Sequence, residues 1–241
     1  MKPEKIKIYC DFDGTITLND VWIEMGNVFI TDKSAWNDVI YRFESGQIGA
    51  RVCFSAECSL IKNFNIEKFN EIIDRQEIDP YFKEFYSYCN ENHIKLIILS
   101  EGLDYYIKRV LSNHSLNIPF YSNKLLISDD GKSISLDFPY SDSDCIRCGV
   151  SKRNILMNQT ADDEISVFIG DGFSDTCAVH YADIVFAKGA LASYCWKNNI
   201  TYFDYRNFLD VLKKIHKLLN LRTIKQRQTA RINRRNVYMR G

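Results

Sequence analysis

The chain has 241 residues, of which 46% are apolar and 26% charged, and its 31 basic and 31 acidic side chains give a formal net charge of zero. This composition excludes an intrinsically disordered chain, and the low counts of proline (four) and glycine (11) exclude a fibrous repeat. No apolar run approaches the ~18 residues of a membrane-spanning helix, and the first residues do not resemble a secretory signal, so we expect a cytoplasmic protein without a membrane span.

Short apolar segments alternate with segments of helical periodicity along most of the chain. The apolar segments lack the strict alternation of half-buried strands, which is typical of strands buried on both faces of a parallel sheet. They predict strands at Ile6–Cys10, Ile94–Leu99, Ile165–Ile169, Ile184–Ala187 and Thr201–Phe203. The segments between them predict helices at Pro80–Asn92, Leu103–Asn113, Lys152–Gln159, Ala190–Asn198 and Phe208–Leu219. This alternation predicts an α/β fold with a doubly wound parallel sheet.

Two stretches interrupt the alternation. Residues 16–79 contain no convincing strand and predict a helical cap inserted after the first strand, with helices at Asp20–Ile30, Ser34–Phe43, Ile48–Asn63 and Ile66–Arg75. Residues 123–138 predict a small β-hairpin, because Asp130-Gly131 lies between two alternating segments. We therefore predict an α/β core from residues 1–15 and 80–220, a cap from residues 16–79 and a basic C-terminal tail from residues 221–241.

Polar residues follow each of the three most apolar predicted strands. In open α/β sheets ligands bind at the carboxyl ends of the strands, so we expect these polar residues to converge on one site. Like charges in a small volume recruit a cation, and a hard divalent ion such as Mg²⁺ prefers oxygen ligands. The sequence therefore predicts a Mg²⁺ site formed by the carboxylates that follow the first and third of these strands, Asp11, Asp13, Asp171 and Asp175.

A phosphate site is predicted beside this cation. Ser100 and the amides of Glu101 and Gly102 are expected to begin the helix after the second strand, where a helix N-terminus binds anions. Lys152 begins another predicted helix and supplies a compact positive charge. Asp11 and Asp13 then divide the chemistry of phosphate ester hydrolysis: Asp11 attacks phosphorus, and Asp13 acts as general acid and then as general base.

The order of these motifs resembles the haloacid dehalogenase-like superfamily of phosphatases. Its four motifs are similar to Asp11-Phe12-Asp13-Gly14-Thr15, Ser100, Lys152 and Gly170–Asp175. The resemblance implies that Asp11 is the nucleophile and that Asp13 is the acid/base, which also offers a backbone carbonyl to Mg²⁺. It further implies that Asp171 is a metal ligand, that Asp175 is a carboxylate on the metal side, and that Ser100, Gly102 and Lys152 hold phosphate.

The helical cap resembles that of the phosphoserine phosphatase branch of the superfamily. Within it, Cys145-Ile-Arg-Cys148-Gly149 and Asp183-Ile-Val-Phe-Ala187 are similar to the methionine-salvage phosphatases. We therefore expect an enzyme of methionine-salvage type, with a phosphatase for phosphoserine or another small phosphate ester as the alternative. A third hypothesis is a non-catalytic phosphate-binding or nucleic-acid-associated protein, against which the intact Asp11 and Asp13 argue.

Two positions depart from the family pattern. Glu101 stands where many relatives have glycine, and we expect its charge to face an anionic site. Ser151 precedes Lys152 where the salvage phosphatases have cysteine. In the cap, Asp20 and Arg51 are candidate specificity residues, although an exposed helix arginine is an equally good interpretation of Arg51.

The basic tail leaves two alternatives open. Residues 221–241 contain seven lysines and arginines and no acidic residue. They are typical of a nucleic-acid or acidic-membrane contact, or of a solvated extension of the last helix, which we favour. The eight cysteines are expected to be reduced, with Cys145 and Cys148 in a turn rather than a zinc site. A monomer or a homodimer is expected.

Overall fold

The computed structural model describes residues 5–221 and 224–238. Within these ranges the strands are β1 (Lys5–Cys10), β2 (Lys95–Leu103), β3 (Phe120–Ile127), β4 (Ile134–Asp137), β5 (Glu164–Gly170), β6 (Ile184–Ala187) and β7 (Phe203–Asp204). The α-helices are α1 (Val21–Phe29), α2 (Lys33–Glu44), α3 (Ala50–Leu60), α4 (Ile66–Asp74), α5 (Phe82–Glu91), α6 (Asp104–Asn113), α7 (Lys152–Gln159), α8 (Gly189–Lys197), α9 (Phe208–Leu219) and α10 (Gln228–Tyr238). None of the helices in these ranges combines the length and apolarity needed to cross a membrane.

The strands form one sheet in the order β4-β3-β2-β1-β5-β6-β7. Strands β1, β2, β5, β6 and β7 pair in parallel, whereas β3 and β4 pair antiparallel as a hairpin. Cys10, the last residue of β1, pairs with Ile98 of β2 and with Ile169 of β5. The predicted α/β fold class, with its helical insertion after the first strand and its small hairpin, is confirmed.

Among the described residues, one compact unit contains residues 5–17, 78–99, 152–221 and 224–238. Its core consists of the central strands, where Ile8, Val167 and Phe186 are fully buried. Helix α5 packs on α9 through aromatic rings, with the ring centroids of Phe82 and Phe208 separated by 4.8 Å. The apolar runs at β1, β5 and β6 are therefore strands buried on both faces, as their lack of alternation indicates. The predicted run Thr201–Phe203 differs, because only its last residue lies in a strand and that strand is not buried.

A second compact unit contains residues 18–77 and 100–151. It joins the four inserted helices to α6 and the hairpin, whereas the sequence pattern predicts residues 100–151 as part of the α/β core. Side chains of α6 explain the grouping: Arg109 donates two hydrogen bonds, of 2.6 and 2.7 Å, to Asp74 of α4. Tyr105 also donates a hydrogen bond of 2.7 Å to Asn70 of the same helix.

The described part of the C-terminal tail packs against other parts of the first unit. Helix α10 follows residues 224–227, which are in neither helix nor strand, and Ala230 of this helix is fully buried. Arg234 forms an ion pair of 2.8 Å with the buried Asp183. The preferred interpretation of this segment as a solvated extension of the last helix is therefore wrong, while residues 222–223 and 239–241 lie outside the described residues.

A buried carboxylate organises the inserted helices. Glu57 of α3 is 3% exposed and accepts a hydrogen bond from the indole Nε1 of Trp22 at 2.8 Å and from that of Trp36 at 2.7 Å. Burial raises the pKa of Glu57, and the two indole donors act in the opposite direction. One carboxylate thus satisfies the polar atoms of two tryptophans and links α1, α2 and α3.

We expect Glu57→Ala to lower the free energy of unfolding by about 2–4 kcal/mol, because two buried indole N–H groups lose their acceptor. Urea denaturation followed by far-UV circular dichroism measures the change. Glu44→Ala, at an exposed position of α2, is the control and is expected to change stability by less than about 0.5 kcal/mol. Equal stability of the two variants would contradict the role of Glu57.

Candidate active site

Asp11 and Lys152 form a buried ion pair at the carboxyl end of the sheet. Asp11 directly follows β1, and its Oδ1 accepts a hydrogen bond of 2.6 Å from Nζ of Lys152. Lys152 is the first residue of α7 and is 1% exposed. Its ammonium also donates to Asp175 Oδ1 at 2.7 Å and to Ser174 Oγ at 3.0 Å. All three protons of the ammonium therefore have an acceptor.

The charge state of Lys152 follows from this arrangement. Burial alone would lower the pKa of the ammonium, but Asp11 and Asp175 outweigh burial and raise the pKa above its usual value. Lys152 therefore remains protonated, since it is the cation that two buried carboxylates require.

Three of the four carboxylates that the sequence predicts at one site converge here. One oxygen from each of Asp11, Asp171 and Asp175 lies within 4.8 Å of the others. Burial, and next the charge of Asp11, raise the pKa of Asp171 and raise that of Asp175 to about 7. These are the conditions under which a divalent cation binds, and carboxylate oxygens are the ligands that Mg²⁺ prefers. The carboxylate of the half-buried Asp13 is not part of this group of oxygens.

The loop after β5 is held by its own acidic residue. Oδ2 of Asp175 accepts hydrogen bonds of 3.2 Å from the backbone N–H groups of Asp171 and Gly172. Because Oδ1 of Asp175 is bonded to Lys152, both of its oxygens accept hydrogen bonds from protein groups. Asp175 therefore supports both the loop and the lysine.

Three residues of the site were not singled out from the sequence. Thr15 donates a hydrogen bond of 2.7 Å to Asp171 Oδ1, and Ser174 accepts one from Lys152. Both lie inside motifs recognised from the sequence, so their place at the site could have been predicted from those motifs. Tyr205 is 3% exposed and donates to the carbonyl of Gly170 at 3.2 Å, but it follows a weak strand signal and no motif marks it.

Position 14 requires glycine because the carboxylate of Asp171 lies close to its backbone. Its φ is +69°, and a Cβ at this position would lie 2.7 Å from Asp171 Oδ2. A side chain here would therefore both strain the backbone and displace a member of the acidic cluster.

The second unit contains the remaining predicted phosphate-binding residues, Ser100, Glu101 and Gly102. They lie in the last part of β2, which extends to Leu103, and α6 begins only at Asp104. The expectation that these residues begin the helix is therefore wrong. Ser100 is 1% exposed, and its Oγ accepts a hydrogen bond of 2.8 Å from the N–H of Gly102.

The carboxylate of Glu101 is bound by backbone amides. Its Oε2 accepts hydrogen bonds from the N–H of Gly149 at 2.9 Å and from that of Val150 at 3.2 Å. A Cβ at Gly149 would lie 2.7 Å from the same oxygen, which explains a glycine at this position. Glu101 therefore holds the loop at residues 149–150, and the expectation that its charge faces an anionic site stays a prediction.

The two candidate specificity residues have local partners. Asp20 is the N-cap of α1, where its carboxylate accepts from the N–H of Ile23 at 3.0 Å. Arg51 is half-buried and donates to the carbonyls of Asp142 at 3.4 Å and Cys145 at 3.2 Å. Arg51 is therefore not an exposed helix arginine. A role for it in substrate specificity stays a prediction. All eight cysteines are free of disulfides, as expected.

Comparisons with known proteins place the chain among hydrolases of one family. The haloacid dehalogenase-like hydrolase family matches residues 8–180. A Bacillus cereus protein named 2-hydroxy-3-keto-5-methylthiopentenyl-1-phosphate phosphatase is 29% identical over 220 residues, which cover 90% of this chain and 99% of that protein. A Bacillus thuringiensis protein of the same name is 28% identical over the same share of both chains.

Solved structures with a similar fold include phosphoserine phosphatases. A phospho-aspartyl intermediate analogue of phosphoserine phosphatase has a TM-score of 0.69 at 19% identity, and covers 88% of this chain and 99% of its own. The phosphoserine phosphatase of T. onnurineus has a TM-score of 0.67 at 18% identity, with 92% and 99% covered. At these identities the similarity shows the shared fold.

We expect Gly14→Ala to lower the free energy of unfolding by at least ~1–2 kcal/mol, since alanine is strained at positive φ and its methyl group would press on Asp171. Gly172→Ala is the matched control in the adjacent loop, because the φ of Gly172 is −115° and a Cβ there meets no atom within 4 Å. Urea denaturation of both variants measures the difference, and a Gly14→Ala protein as stable as Gly172→Ala would refute this account.

Proposed function

The chain belongs to the haloacid dehalogenase-like hydrolase family, and we propose that it is a Mg²⁺-dependent phosphatase that hydrolyses a small phosphate monoester through an aspartyl-phosphate intermediate. The observation that carries this proposal is the position of Asp11. Its carboxylate lies at the end of the central strand β1, bound by Lys152 at 2.6 Å and grouped with Asp171 and Asp175.

The carboxylate cluster fits Mg²⁺. Asp11 and Asp171 would hold the ion with carboxylate oxygens, and the family resemblance adds the backbone carbonyl of Asp13. Asp175 would support these ligands indirectly, because its oxygens accept hydrogen bonds from Lys152 and from the amides of Asp171 and Gly172. When bound, Mg²⁺ supplies positive charge that offsets the carboxylates and the phosphate oxygens.

In the first step a carboxylate oxygen of Asp11 forms a bond to phosphorus, and the bond between phosphorus and the ester oxygen breaks. Asp13 donates a proton to the departing alkoxide, so that it leaves as an alcohol. Lys152 holds Asp11 in one orientation and offsets part of the negative charge that an incoming phosphate adds.

In the second step Asp13, now a carboxylate, accepts a proton from water as the water oxygen attacks phosphorus. The bond between phosphorus and Asp11 breaks, which releases inorganic phosphate and restores the carboxylate. The half-buried position of Asp13, in contrast with the buried Asp11, suits a group that must exchange protons with both leaving group and water.

Ser100, Gly102 and Lys152 are proposed to bind the phosphate group, and Glu101 to support them through its contacts with Gly149 and Val150. Support for Ser100 comes from its position in the second motif. It stands two residues after Ile98, and Ile98 pairs with Cys10, the residue before Asp11.

We propose 2-hydroxy-3-keto-5-methylthiopentenyl 1-phosphate, or a close analogue, as the substrate. Support comes from the Bacillus relatives of that name, which are 28–29% identical over 90% of this chain. Phosphoserine is the alternative, because the structural neighbours share their fold with this chain.

Asp11→Asn is expected to reduce Mg²⁺-dependent phosphate release by more than about 10³-fold, because an amide oxygen is a poor nucleophile. Asp38→Asn, an exposed substitution on α2 that also removes one carboxylate, is expected to retain wild-type activity. Phosphate release from a panel of small phosphate esters measures both. Full activity in Asp11→Asn would contradict the aspartyl-phosphate mechanism.

Removal of Mg²⁺ with EDTA is expected to abolish turnover, and added Mg²⁺ is expected to restore it. With Mg²⁺ present, we expect kcat/KM for the methylthiopentenyl phosphate to exceed that for phosphoserine by at least about tenfold, a typical effect of one differing group. The reverse order of kcat/KM would favour the phosphoserine alternative and leave the mechanism intact.

A further inference from the structure

The segment formed by residues 224–238 is here called the C-terminal segment. It contacts the turn at residues 179–183, which follows the loop that carries Asp171 and Asp175. Five consecutive backbone carbonyls, from Val179 to Asp183, each accept a hydrogen bond from residues of this segment. This turn joins the loop that carries Asp171 and Asp175 to strand β6.

Arg227 supplies three of these hydrogen bonds. Its Nη1 donates to the carbonyl of Val179 at 2.6 Å and to that of Ala182 at 3.0 Å. Its backbone N–H donates to the carbonyl of Asp183 at 3.2 Å. Val179 and Ala182 are fully buried, so their carbonyls depend on partners from the protein.

Helix α10 supplies the others. Asn233 Nδ2 donates to the carbonyl of His180 at 3.1 Å, and Arg234 donates to that of Tyr181. The Nη2 of Arg234 also pairs with Asp183 Oδ1 at 2.8 Å. The other oxygen of Asp183 accepts from the backbone N–H of Ser166 in β5 at 2.9 Å, so the ion pair extends into the sheet.

The carbonyls of this turn, residues 179–183, are therefore bound mainly by donors that lie far along the chain. Within residues 178–183 the N–H of Tyr181 donates to the carbonyl of Ala178, whereas the carbonyls from Val179 to Asp183 have their donors in the C-terminal segment. Hydrogen bonds from charged donors are the stronger kind, and here guanidinium groups provide most of them. At the other end of the same stretch, Asp175 is bound to Lys152.

We propose that Arg227 and Arg234 are positioning residues, which hold residues 179–183 and thereby keep Asp171 and Asp175 in place to bind the cation. Neither arginine is a catalytic residue. The consequence for activity rests on the proposed function, whereas the consequences for the turn and for cation binding rest on the geometry of the described residues.

The same helix provides matched controls. Arg231 and Arg235 are exposed residues of α10, so their replacement removes the same two charges without touching the turn. Any effect of the tail's charge alone, such as weaker association with nucleic acid, would therefore appear equally in the control and in the test variant.

The experiment compares full-length Arg227→Ala/Arg234→Ala with Arg231→Ala/Arg235→Ala. Hydrogen exchange of peptides spanning residues 176–183 measures the turn, and Mn²⁺ binding followed by electron paramagnetic resonance measures the cation site without turnover. We expect the test variant to exchange at least about tenfold faster and to bind Mn²⁺ at least about fivefold more weakly, a loss of about 1 kcal/mol. The control should stay within about twofold of wild type.

The single variants Arg227→Lys and Arg234→Lys keep the charge but lose the planar fork, and should lie between wild type and the double variant in both measurements. If the double alanine variant does not fold, these lysine variants test whether the arginines support the turn and cation binding. Unchanged Mn²⁺ affinity in variants with a loosened turn would overturn the proposal, as would equal effects in the control. If wild type releases no phosphate from any ester while both effects persist, the proposed function fails and the positioning role stands.

Discussion

Three carboxylates cannot share a buried volume unless positive charge is placed among them, and Lys152 meets this requirement first. Its ammonium binds two of the three carboxylates and is almost completely buried. The position of the lysine in turn depends on where α7 begins, because Lys152 is the first residue of this helix. The charge of the cluster is therefore balanced by a helix that begins 141 residues after Asp11 in the chain.

The features that the sequence predicts are those with local signals. Strand β6 and helices α7 and α9 have the predicted bounds, because apolar runs and helical periodicity are properties of a few adjacent residues. Asp11 and Asp171 could be placed together because parallel strands end at one edge of the sheet, which is a rule of topology rather than of side-chain contact.

What the sequence does not reveal is the choice among distant partners. The two amides that bind the Glu101 carboxylate, those of Gly149 and Val150, lie 48 and 49 residues further along the chain, and nothing local indicates this pairing. The pairing of Arg109 with Asp74 places residues 100–151 with the inserted helices for the same reason. Arg227 and Arg234 lie in a charge run that is typical of a solvated face, yet both bind buried backbone.

The contacts of the C-terminal segment bear on the order in which the molecule is completed during synthesis. The side chains that satisfy the carbonyls of residues 179–182 lie 45 to 53 positions further along the chain. A ribosome that has released the whole of strand β6 therefore still holds the donors on which the preceding turn depends. The loop that carries Asp171 and Asp175 is therefore synthesised before its support, and it is fully held only when α10 emerges.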